Sequence, residues 1–180
     1  MKETEKKPAS GFRGKVELAK SIVRRVYQGE AKAEEELDRL LKDEEGVRAF
    51  FVAWLTDSSL AIQNDSFLSA VQKNFHLCRN TIVKNLAMPS AMVVVHEKNK
   101  DKNLARESQN VIDRVLDLIK YLPEKELKEG LNDLKVSVEA GLRDKDPSEN
   151  SPFGEFLKRW SYDKAQLENI QKSIDKALSD

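Results

Sequence analysis

Apolar residues recur along this chain at intervals of three and four, and in order they lay out a series of amphipathic helices. Val16, Ala19, Ile22, Val23 and Val26 predict the first over 15–27, with Gly29 placed to stop it. Residues 30–42 carry only a thin stripe of Leu37, Leu40 and Leu41, the mark of a surface helix. Asp43 is positioned to cap a third helix, whose first turn holds Glu44 and Glu45 where the helix dipole favours them. Val47, Phe50, Phe51, Trp54 and Leu55 give that helix a broad aromatic face, so it belongs to the core. Asn64, Asp65 and Ser66 offer caps for a fourth helix, which carries Phe67, Leu68 and Val71 into the next stretch.

That stretch, 74–97, organises the chain. Charge nearly disappears from it, and it holds both histidines (His76 and His96), the single Cys78 and an in-line Pro89. On a helical wheel Phe75, Cys78, Ile82 and Leu86 share one face, while Leu77, Thr81 and Met88 form a second, weaker stripe. Apolar residues on two sides predict a central helix covered by several neighbours. Pro89 brings no N–H to the carbonyl of Asn85, so an interruption is expected near it. The run Val93, Val94 and Val95 would suit a strand, but no second strand is there to pair with it.

Beyond a charged turn at 98–102, Val111, Ile112, Val115, Leu118 and Ile119 predict a further helix, and another runs from Pro123 to about Arg143. Residues 144–152, DKDPSENSP, read as a linker. A short aromatic helix with Phe153, Phe156, Leu157 and Trp160 follows it. Asp163 with Gln166 three residues later is a capping-box pattern opening the last helix. The whole pattern predicts an all-α protein, an irregular helical bundle of seven to eight helices with its central helix interrupted near Pro89. Its expected organisation is a flexible basic tail over 1–14, a bundle over 15–143, the linker, and a C-terminal helical hairpin over 153–180 packed on the bundle.

Composition narrows the function more than the fold. Charged residues make up 34% of the 180, glycine and proline are scarce, and such a mixture favours helices. Lysine plus arginine equals aspartate plus glutamate at 31 each, so no overall field recruits nucleic acid or a membrane. Locally the balance breaks: residues 1–25 carry eight bases against three acids, and 30–45 carry eight acids against three bases. Without interleaved aromatics the basic tail gives little cause to expect nucleic acid. One cysteine fits a reducing compartment, the N-terminus has no apolar core of a secretory signal, and no apolar run approaches the ~20 residues of a membrane span. A cytoplasmic protein with no membrane contact is expected.

The strong chemical motifs are absent: phosphate-binding glycine loops, nucleophile elbows, HExxH and CxxC do not occur. Neither histidine has an acidic residue three positions before it, as helical di-iron sites require. Within one continuous helix His76 and His96 stand about 30 Å apart, too far to share a metal. No metal and no cofactor is expected. Two sets of residues remain. Arg79, Asn85 and His96 could supply polar contacts in a pocket beside Pro89. Phe153, Phe156 and Trp160, at helical spacing, could anchor a partner helix or simply close the end of the bundle. The reading is a non-enzymatic interaction or regulatory protein, with a protein partner or a homo-oligomer. The alternative is a small-molecule or cofactor-binding helical protein, possibly an enzyme, with its pocket at the Pro89 break.

Overall fold

The computed structural model describes residues 11–147 and 152–179, and every described element is an α-helix. Residues 1–10 of the expected tail and 148–151 of the expected linker lie outside the described residues. By contact the described residues form two compact units, one comprising 11–60 with 64–78 and the other 61–63 with 79–147 and 152–179. Nine helices are found among the described residues, one more than the upper expectation. The extra boundary is Asn74, read from sequence as leading straight into the central stretch.

In the first unit α1 (Phe12–Tyr27) packs on α2 (Ala31–Leu40) and α3 (Glu44–Leu55), with α4 (Asp65–Lys73) against α2. Helix α1 starts three residues ahead of the expected Lys15. The Arg48 guanidinium lies 4.6 Å from the Phe12 ring centre, giving that first turn a cation–π contact. The core is the aromatic face of α3: Phe50, Phe51 and Trp54 are fully buried, and Phe67 of α4 closes on them. Ring centres lie 5.1 Å apart for Trp54 and Phe67 and 5.3 Å for Phe50 and Trp54, within the range of favourable aromatic pairs.

The caps form where the spacing places them. Asp43 accepts from the Gly46 N–H at 2.8 Å, and Asn64 from the Phe67 N–H at 3.0 Å. Lys15 reaches Asp43 at 2.9 Å and Glu45 at 3.0 Å, which raises its own pKa. The same pairing, with the Gly46 N–H, holds the Asp43 carboxyl below its ordinary value. Gly46 has a second role. A Cβ there would stand 2.9 Å from the carbonyl carbon of Leu40 and closer still to its oxygen, so α3 begins hard against the end of α2.

Asn74 makes the joint between α4 and α5 (Phe75–Lys98). Almost wholly buried, it donates through Nδ2 to the Ala70 carbonyl at 2.9 Å and accepts Lys42 Nζ on Oδ1 at 3.0 Å. Its N–H ends α4 on Ala70 and Val71, while its carbonyl accepts the Leu77 and Cys78 N–H groups that begin α5. One residue satisfies two orphan groups at each of two helix ends.

In the second unit α7 (Glu124–Leu142) packs along α9 (Lys164–Ser179) and touches α8 (Gly154–Trp160), while α6 (Lys102–Ile119) meets α9. Gly130 lets α7 approach α5: a Cβ there would meet Val83 at 3.3 Å and the Arg79 stem at 3.7 Å. Asp163 and Gln166 make the capping box, each accepting from the other's N–H at 2.9 Å. No helix among the described residues is long and apolar enough to cross a membrane.

Candidate functional site

Helix α5 runs unbroken for 24 residues with Pro89 inside it, where an interruption was expected. Proline removes one hydrogen bond and crowds one carbonyl, a cost of about 3 kcal/mol that packing can outweigh. Leu86, Ala87, Ser90 and Ala91 flank Pro89 and are all fully buried. Helix α9 holds this segment with polar side chains. Asn169 Nδ2 donates to the Ser90 carbonyl at 2.7 Å, and Gln166 Nε2 lies 3.5 Å from the Ala91 carbonyl. The Ser90 hydroxyl donates to the Leu86 carbonyl at 2.7 Å. It also lies 2.7 Å from the Ser173 hydroxyl, which in turn reaches the Asn169 carbonyl at 3.3 Å.

On this continuous helix Arg79, Asn85 and His96 do not converge. At 100° per residue Asn85 and His96 face the same side, but about 16 Å apart along the axis, and Arg79 lies about 120° away. Half-buried Arg79 lays its methylenes beside Gly130 and turns Nε to Asn80 Oδ1 at 3.4 Å. Asn85 donates to the Thr81 carbonyl of its own helix at 2.9 Å. The His96 carbonyl accepts the Asp101 N–H at 2.8 Å, closing α5 with Lys100 at a positive φ of 58°. Among the described residues no three His, Cys, Asp or Glu side chains are grouped so as to hold a metal.

The aromatic trio is divided as well. Phe153 is buried at 1% exposure, half-buried Phe156 packs edge-on to Tyr162 at 6.2 Å, and Trp160 is 51% exposed. Lys84 of α5 places its Nζ 5.6 Å from the Phe156 ring centre, which puts Phe156 at the margin of α5.

Two surface recesses adjoin α7 and α9, and no residue of α5 lines either. One, about 240 Å³, is walled by Gly141, Leu157, Leu167 and Tyr162, whose hydroxyl burial pushes up to about 12. Its volume falls short of the roughly 300–1,000 Å³ of small-molecule sites. The other, about 350 Å³, is an open, charged groove with the Lys135–Asp175 pair at 2.7 Å in its wall.

What α5 does present is an open stripe. Thr81, Asn85, Met88, Met92 and Val95 follow one another at intervals of four and three, all on one side of the helix. Each is half-exposed, and Met92 is 37% exposed. The opposite side, Ile82, Val83, Leu86 and Ser90, is fully buried. The weaker stripe seen in the sequence is thus only partly covered. Periodicity records which faces are apolar, not which have neighbours.

Cys78 lies on the covered side, fully buried, and burial pushes its thiol up to about 12. A maleimide or aromatic disulfide reagent at pH 8 is expected to label it only after denaturation. Rapid labelling of the native protein would show that the first turns of α5 open locally.

The described residues are thus all-helical, with a partly exposed stripe along α5. Residues 11–177 match the family described as uncharacterised conserved protein UCP020893, and the chain belongs to that family. No curated protein and no solved structure matches it.

Proposed function

We propose that this is a non-enzymatic interaction or regulatory protein of the cytoplasm, acting through an exposed helix face. The observation that carries the reading is the half-exposed stripe of α5 centred on Met88 and Met92. Unbranched, polarizable methionines adapt to different partner surfaces and are over-used where proteins bind other proteins. A stripe spaced by four and three fits another helix laid along it.

The pocket alternative draws less support. Beside Pro89, the side chains of Gln166, Asn169 and Ser173 reach α5, and its three polar candidates point in different directions or stand turns apart.

Native mass spectrometry of the protein isolated from its own host tests the reading. A protein-sized mass increment that the Met92→Glu variant loses supports interaction through this face. A small-molecule or metal increment in its place would favour the pocket, and the bare monomer alone would count against partner binding.

A further inference from the structure

We infer that the α5 stripe receives an amphipathic helix whose flanks are acidic. The inference rests on the interaction reading above and adds the chemistry of the partner. No aspartate or glutamate occurs between Asp65 and Glu97, although the chain as a whole carries 31 of them. Everything along α5 before Glu97 that a partner could meet electrostatically is neutral or cationic: His76, Arg79, Lys84 and His96. Lys84 borders the open stripe on the Phe156 side, and half-exposed His96 borders it on the other, near the end of the helix.

Charge decides between the two plausible occupants. A second copy laid on the stripe would bring Lys84 and His96 against a helix with no carboxylate to answer them before Glu97. Unanswered charge at a helix–helix margin costs specificity and stability. Glutamates at the margins of a foreign helix would meet the Lys84 ammonium and could accept a hydrogen bond from the His96 ring, while its leucines or methionines cover Met88, Met92 and Val95. The amide of Asn85 lies within the apolar stripe, where one polar group favours a single register over sliding.

Two designed helical peptides of equal length and leucine pattern, one flanked by glutamates and one by lysines, serve as probes. Fluorescence anisotropy with the full chain is expected to show the acidic peptide binding at least tenfold more tightly. Met92→Glu should weaken that binding at least tenfold, and Lys84→Glu should narrow or reverse the preference. Circular dichroism checks that each variant keeps its helices, and Met92→Gln, which adds no charge, provides a second probe of the stripe. Equal binding of the two peptides, binding by neither, or affinity unmoved by Met92→Glu overturns the inference. Sedimentation showing a dimer that Met92→Glu dissolves also overturns it, since the occupant is then a second copy. If native mass spectrometry finds a protein partner that Met92→Glu retains, the acidic-helix inference fails while interaction through some other face stands.

Discussion

Trp54→Ala is expected to remove about 3–5 kcal/mol from the stability of the unit that contains it. The indole is fully buried, with Phe50, Phe51 and Phe67 rings around it, so truncation leaves a cavity that three rigid neighbours cannot collapse to fill. Folded domains hold only about 5–15 kcal/mol in reserve, so the loss is a large part of the total. Urea unfolding followed by circular dichroism measures it. A loss below about 1.5 kcal/mol would mean that this cluster is not the centre of its core.

Gly46→Ala tests the sign of an effect. Helix propensity alone says that alanine inside α3 should gain about 1 kcal/mol. The contact with the Leu40 carbonyl says the opposite, because backbone cannot swing aside as a side chain can. A net loss of about 2–3 kcal/mol is expected, the scale of overpacking in a closed site. Gly130→Ala is the control, since its new methyl would first meet the Val83 side chain at 3.3 Å. That change should fall within about 1 kcal/mol of neutral. A stabilised Gly46→Ala protein would show that α2 and α3 can separate without cost.

These two residues mark what the sequence reveals and what it hides. Trp54 was legible, because four large apolar residues at helical spacing leave no other place for themselves than a core. The caps at Asp43, Asn64 and Asp163 were legible for the same local reason, a side-chain acceptor two or three residues ahead of free N–H groups. Gly46 gave no signal, since its constraint comes from a carbonyl on a different helix. The joint at Asn74 gave no signal in the sequence, because it depends on Lys42, which lies beyond the end of α2. At the candidate site the stripe through Thr81 and Met88 was visible, but its exposure depends on where every other helix goes. At Pro89 the local rule, which counts the lost hydrogen bond and not the packing around it, left a kink and a break equally open, and one helix runs through it.

The polar contacts from α9 to α5 have a further consequence. Gln166, Asn169 and Ser173 are spaced three and four apart, and their partners are the Ala91 carbonyl, the Ser90 carbonyl and the Ser90 hydroxyl. An apolar helix face can slide by one turn, about 5.4 Å, and still bury leucine against leucine. This one cannot, because the slide would strand a buried hydroxyl and two amides together. The C-terminal helix therefore has a single seat, and a chain assembled out of step would be driven back to it rather than trapped one turn away.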